Sequence, residues 1–177
     1  MDGGYLCFRQ AGLVPDTLIG DLDSLSEEEH PGSEFLQLKV VHLHDQDTTD
    51  FEKALHWIKH NTKTKNLIIL GGLGKRTDHL MTNLLVASVA DQSLEITFDD
   101  DKEWMRRVTP SCPLSLHGRK GANLSILPLC ESSGVTTKGL QWELNSENIG
   151  GSKIVGQSNR CKSDLVEIKC ETGNFFV

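Results

Sequence analysis

No apolar run in this 177-residue chain approaches the roughly 20 residues needed to cross a bilayer as a helix, and no signal peptide precedes Asp2. Basic residues are outnumbered: 18 Lys and Arg against 25 Asp and Glu leave a formal net charge of −7. That balance argues against nucleic acid as the main partner. The five cysteines (Cys7, Cys112, Cys130, Cys161 and Cys170) contain no C-x-x-C pair, and an odd number cannot all pair within one chain. Reduced thiols in a cytoplasmic protein are expected. His42, His44, His56, His60 and His79 form no zinc constellation. His56 and His60 stand at i, i+4 but lack the acid of a metalloprotease helix, so they read as surface residues. No Ser-His-Asp or Cys-His arrangement can be argued, and there is no internal repeat or low-complexity linker.

What is present is an alternation of short strands and helices. Residues 1–4 read as a strand end or tight turn, and residues 5–10 as a short helix stopped by Gly12. Pro15-Asp16 turns the chain into a strand at 17–19. An acidic start at Ser26-Glu27-Glu28-Glu29 opens a helix that Pro31-Gly32 interrupts. A strand at 39–43 leads to Thr49, which with Glu52 fits a capping box. Phe51, Ala54, Leu55 and Ile58 then recur at i, i+3, i+4 and i+7, one apolar helix face. A strand at 66–70, a helix over 77–90 with Leu80, Leu84 and Ala87 on one face, and a strand at 94–98 follow. Trp57 and the helix leucines are assigned to the core. This is the pattern of a parallel α/β sheet. Beyond Pro110 the helical period vanishes. Short apolar runs at 124–127, 139–144, 153–155 and 165–168, with alternation clearest in Leu140-Gln141-Trp142-Glu143-Leu144, predict an antiparallel β-sandwich. The expected division is 1–103 and 104–177.

Three strand ends deliver the chemistry. Gly20-Asp21-Leu22-Asp23-Ser24 places Asp21 and Asp23 on one side of an extended segment. Two such charges roughly 5 Å apart cost several kcal/mol at an effective dielectric near about 20 unless a cation lies between them. Mg²⁺ suits an all-oxygen site serving phosphate; a solvated acidic turn is the alternative. Asp45-Gln46-Asp47-Thr48-Thr49-Asp50 packs three carboxylates into six positions, or is only a turn and a helix cap with Asp50 as a favourable first-turn acid. Gln46 adds an amide able to read a heteroaromatic edge. Gly71-Gly72-Leu73-Gly74-Lys75-Arg76-Thr77-Asp78 fails the P-loop spacing, because Arg76 stands where Ser or Thr belongs and Ile69 where the first Gly belongs. It still offers approachable amides, a helix start and two cations, which suit an anion. Together the three turns describe a metal–phosphate site at strand C-terminal ends. A net acidic chain does not exclude ATP there, since local Mg²⁺, Lys and Arg offset the global charge.

These residues resemble the thiamine pyrophosphokinase family. The resemblance is carried by the ordered set Asp2-Gly3-Gly4, Gly20 to Ser24, Asp45 to Phe51, Gly71 to His79, and Gln157-Ser158-Asn159. It implies an N-terminal α/β domain that binds ATP and Mg²⁺, and a C-terminal β-sandwich that binds thiamine. It further implies a homodimer whose active sites lie where the subunits meet, and conversion of ATP and thiamine to AMP and thiamine diphosphate. On that resemblance, Asp21, Asp23 and Asp50 hold Mg²⁺ and one of them takes the hydroxyl proton. Arg76 and the amides of Gly71, Gly72 and Gly74 steady the phosphates. Lys75, Asp78, Thr49, Asp47 and Asp2 add to the nucleotide or metal site, and Gln46, Ser158 and Asn159 face thiamine. Two departures stand out. The family pattern carries a further strand before the Asp-Gly-Gly segment, where this chain has Met1. It also carries a late aromatic under the thiamine ring, for which Phe175 or Phe176 is the nearest substitute. Two other functions remain open: a non-catalytic thiamine- or nucleotide-binding module, and a D-x-D metal-dependent transferase using a nucleotide sugar.

Overall fold

The computed structural model describes residues 2–20, 38–43, 45, 47–74, 76–100, 102–151, 153 and 156–177, with the side chains of Asp2 and Gly3 outside that description. The chain divides into two compact units, Met1–Thr64 and Lys65–Val177.

In the first unit, helix α1 (Asp2–Gln10) is followed by strands β1 (Thr17–Gly20) and β2 (Lys39–His42) and helix α2 (Asp50–Asn61). β1 and β2 pair in parallel, Thr17 opposite Lys39 through Gly20 opposite His42. Tyr5 and Leu18 are buried together with Leu6 and Leu38 against them, while α2 buries Phe51 and Leu55. Here the structure corrects the expected strand end or turn at residues 1–4, because Asp2, Gly3 and Gly4 form the first turn of α1. Two glycines cost about 1 kcal/mol each in a helix relative to alanine. Burial of Tyr5 directly behind them outweighs that local preference. The helix expected at residues 26–29 lies outside the described residues.

The second unit begins with β3 (Asn66–Leu70), α3 (Thr77–Val89), β4 (Glu95–Asp99) and β5 (Trp104–Val108). β3 and β4 are parallel, β4 and β5 antiparallel, and β12 (Phe175–Phe176) returns to β5, giving a sheet of order β12-β5-β4-β3. Then come β6 (Leu114–Leu116), β7 (Asn123–Ile126), β8 (Ser132–Lys138), β9 (Glu147–Ile149), β10 (Gly156–Arg160) and β11 (Val166–Lys169). They form an antiparallel sheet of order β6-β11-β8-β9 and an antiparallel β10-β7 pair. Leu114, Leu124, Ile126, Val135, Ile149, Val166, Ile168 and Phe175 meet in one apolar core. An α/β part followed by antiparallel β sheets is thus the fold.

The alternation at Leu140–Leu144 is not a strand. Gly139 turns at φ +80°, Gly139 N–H donates to Glu143 Oε1 at 2.7 Å, and only an isolated bridge joins Leu140 to Cys161. Leu140 is buried while Trp142 is 60% exposed, so the alternation comes from a bend around one anchor. The neighbouring strand is β8 instead, whose Ser-Ser-Gly-Val-Thr-Thr-Lys composition hides it. The run at 153–155 falls mostly outside the described residues. All five cysteines are free thiols. Among the described residues no helix is long and apolar enough to cross a membrane.

Candidate active site

The turn before α2 sorts its carboxylates by task. Both oxygens of exposed Asp45 are used locally: Oδ1 accepts the Asp47 N–H at 2.9 Å, and Oδ2 accepts the Thr48 hydroxyl. The Thr48 bond, helped by Asp47, holds the Asp45 carboxyl below its ordinary range. Thr49 is the N-cap, accepting from Glu52 N–H at 3.3 Å while Glu52 Oε2 accepts the Thr49 N–H at 2.8 Å. Asp45 and Thr49 therefore build the turn, and Asp47 and Asp50 are the acids left over. Asp50 opens the helix half-buried, with Lys53 Nζ 3.5 Å from its Oδ1. Lys53 is itself only 6% exposed. A buried ammonium this close to Asp50 was not anticipated; its i, i+3 spacing was the available signal.

A half-buried carboxylate with a lysine partner at 3.5 Å is a hard oxygen donor of the kind Mg²⁺ takes. Asp21, Asp23 and Gln46 lie outside the described residues, as does the side chain of Asp2. Among the described residues no three His, Cys, Asp or Glu come together as a metal cluster.

The second turn joins β3 to α3, and its glycines serve different ends. Gly71 is left-handed at φ +71°. Gly72 is a packing glycine, since a Cβ there would sit 2.8 Å from Phe98 Cδ1 and 3.1 Å from Ile69 Cγ2. Asn83 Nδ2 donates to the Gly72 carbonyl at 3.2 Å, fixing the turn to α3. A Cβ at Gly74 would meet nothing within 4 Å among the described residues. Lys75 lies outside the described residues. Arg76 is the N-cap of α3 but makes no side-chain cap bond. Instead its guanidinium forks onto Asp78, Nε to Oδ1 at 3.1 Å and Nη2 to Oδ2 at 2.6 Å. That bond chiefly holds Asp78 down to about 2, although both side chains are exposed. The Arg76 side chain does not cap α3, and the Asp78 carboxylate also accepts from the His79 backbone N–H in the first turn of the helix.

In the β half, β10 leaves register with β7 between Gly156 and Asn159. Ser158 sits in this irregularity at φ +61°, exposed, its N–H donated to Ser125 Oγ at 3.0 Å. Asn159 is buried and grips Trp142 from both sides: Oδ1 accepts Trp142 N–H at 3.2 Å and Nδ2 donates to Trp142 O at 2.7 Å. Its amide thus pins the Trp142 bend to β10. A cavity of about 600 Å³ lies beside this region, lined among others by Trp104, Arg119, Leu124, Ser125, Gln157 and Phe176. Of the two late aromatics, Phe176 lines this cavity and Phe175 belongs to the core.

An α/β part bearing a glycine turn and a carboxylate-led helix is thus followed along the chain by an antiparallel β part with an aromatic-lined cavity. The chain belongs to the thiamin pyrophosphokinase family: residues 1–98 match its catalytic domain and residues 112–175 its vitamin B1 binding domain. It is 30% identical over 167 residues to thiamine pyrophosphokinase 1 of Arabidopsis thaliana, covering 89% of this chain and 62% of that one. It is 28% identical over 171 residues to thiamin pyrophosphokinase 1 of Caenorhabditis elegans, covering 92% and 69%. The chain therefore spans about 62% of the length of its Arabidopsis relatives. The crystal structure of thiamine pyrophosphokinase from Bacillus subtilis superposes with a TM-score of 0.83 at 22% identity, over 99% of this chain and 83% of that one. Thiamin pyrophosphokinase from Candida albicans gives 0.81 at 15%, over 99% and 78%. At such identities these two likenesses speak for the fold alone.

Proposed function

We propose that the chain transfers the pyrophosphoryl group of ATP to the primary hydroxyl of thiamine, yielding thiamine diphosphate and AMP. The hydroxyl oxygen bonds to the β-phosphorus, and the bond from that phosphorus to the α–β bridging oxygen breaks. AMP leaves with the electron pair, and one of Asp21, Asp23 or Asp50 takes the hydroxyl proton. Asp21, Asp23 and Asp50, together with Asp2, would hold Mg²⁺, which would supply charge neutralisation on the phosphates. Arg76, Lys75 and the amides of Gly71, Gly72 and Gly74 orient the phosphate chain, with Asp78, Asp47 and Thr49 in the nucleotide set. Gln46, Ser158 and Asn159 serve thiamine, in a homodimer whose sites combine residues of both subunits. In this reading residues 1–103 handle the nucleotide and residues 104–177 handle thiamine.

The observation that carries the reading is the Arg76–Asp78 fork at the start of α3, in a chain that matches the family's catalytic domain over residues 1–98. The family match also speaks against a nucleotide-sugar transferase. The test is incubation of the chain with ATP, Mg²⁺ and thiamine. AMP and thiamine diphosphate appearing one for one support the proposal. Thiamine binding without AMP returns the chain to a non-catalytic module.

A further inference from the structure

The C-terminus of α3 poses an accounting problem. A helix leaves its last carbonyls without intrahelical donors. Here the Ala90 N–H reaches the Val86 carbonyl at 3.2 Å and Ser88 Oγ that of Leu85 at 2.7 Å. Among the described residues the helix carbonyls beyond have no such local donor. Ala90, the C-cap, is extended at φ −63° and ψ 162°, and the last turn holds no basic residue. The partners come from far along the chain. Arg107 on β5, 1% exposed, sends Nη1 to the carbonyls of Ala87 and Ala90, the latter at 3.0 Å. Its Nη2 reaches the carbonyls of Asp91 at 2.6 Å and Leu94 at 2.8 Å. Asn174 Nδ2 takes the Ser88 carbonyl at 3.0 Å.

Burying a guanidinium is costly, and a glycine or a surface lysine would cap one helix more cheaply. What the planar fork does in addition is tie three elements together: the end of α3, the turn after it, and the entry to β4 at Leu94. Two of these, α3 and β4, also touch the glycine turn, α3 from mid-helix and β4 near its far end. Asn83 of α3 donates to the Gly72 carbonyl, and Phe98 of β4 packs where a Gly72 side chain would be.

We infer that Arg107 is a positioning residue: by locking α3 to β4 at one end, it fixes the glycine turn and the Arg76–Asp78 fork at the other. α3 has 13 residues, so the lock acts over roughly 20 Å at about 1.5 Å per residue. For its ATP readout the inference rests on the nucleotide role proposed above; its exchange readout does not.

The test compares Arg107→Met and Arg107→Lys with the wild-type chain, well below their melting temperatures. Amide exchange is expected to accelerate about tenfold in Arg107→Met in the first hydrogen-bonded turn of α3, residues 80–83, as well as at 87–94. The KM for ATP should rise about tenfold while that for thiamine stays within about twofold, and Arg107→Lys should recover part of both. Should Arg107→Met fail to fold, Arg107→Lys carries the same test, since an ammonium cannot reproduce the fork onto four carbonyls. Acceleration confined to 87–94 with an unchanged KM for ATP makes Arg107 a local cap and overturns the inference. If the wild-type chain forms no AMP, the proposed function fails, and the exchange pattern alone decides for or against Arg107.

Discussion

α2 and α3 are nearly equal in length, 12 and 13 residues, yet they are finished in opposite ways. α2 carries its own ends: Thr49 and Glu52 cap the start, and Asn61 and Thr62 side chains return to the carbonyls of Trp57 and Ile58 at 2.9 Å. α3 starts with no side-chain cap and ends on Arg107 and Asn174, which lie well downstream. A self-capped helix can present a single charged residue, Asp50, on a stable platform. The start of α3 carries the Arg76–Asp78 fork, and its other end is tied to the distant Arg107 and Asn174.

The strongest way to break this contrast is a paired unfolding experiment in urea. Arg107→Met should lose about 3 kcal/mol or more, because several buried carbonyls lose their donor at once. Thr49→Ala should lose about 1 kcal/mol, the usual worth of an N-cap. Equal losses would remove the distinction between remote and local capping.

The same contrast explains what the sequence could disclose. Thr49, Glu52 and the apolar period of α2 lie within one turn of each other, so the capping box and core face were legible. The strands at 17–20, 39–42, 66–70 and 95–99 were legible for the same reason, each being a short apolar run between turn residues. Arg107 was not, because nothing near it signals a burial created by a helix 13 to 20 residues earlier. Lys53 was read past because a lysine within an amphipathic helix defaults to solvent, whereas here it is buried beside Asp50. Asn159 is assigned to thiamine on resemblance; that its amide also grips the Trp142 backbone was not legible, because the partnership is set by the bend after Gly139. The glycines of the 71–74 turn were legible as a group, but only packing against Phe98 separates Gly72 from Gly74.

A smaller effect sharpens the picture at the start of α3. Asp78 has its carboxyl lowered from 3.8 to about 2, chiefly by the bond from Arg76. A depressed carboxylate contributes its stabilisation above the unfolded value and loses it as pH falls through the folded one. The fork should therefore persist at pH 3 and open near pH 2. Carbon-detected NMR titration of the Asp78 carboxyl should give a midpoint near 2 in the wild-type chain, returning toward 3.8 in Arg76→Ala. A wild-type midpoint near 3.8 would show that the fork does not form in solution.

The most direct measurement sets Asp50→Asn beside Thr49→Ala, recording melting temperature without Mg²⁺ and AMP formation with ATP, Mg²⁺ and thiamine. The two residues are adjacent, but one belongs to the proposed metal set and the other to the helix cap. Thr49→Ala should melt lower and still turn over at saturating ATP, with at most a raised KM for ATP, since Thr49 also stands in the proposed nucleotide set. Asp50→Asn should cost about 1 kcal/mol or more, since it removes both a first-turn acid and the carboxylate beside the buried Lys53. It should slow transfer about 10²–10³-fold, a loss of about 3–4 kcal/mol of transition-state stabilisation. An Asp50→Asn protein that melts lower yet forms AMP at the wild-type rate would reduce Asp50 to a helix acid and contradict the account.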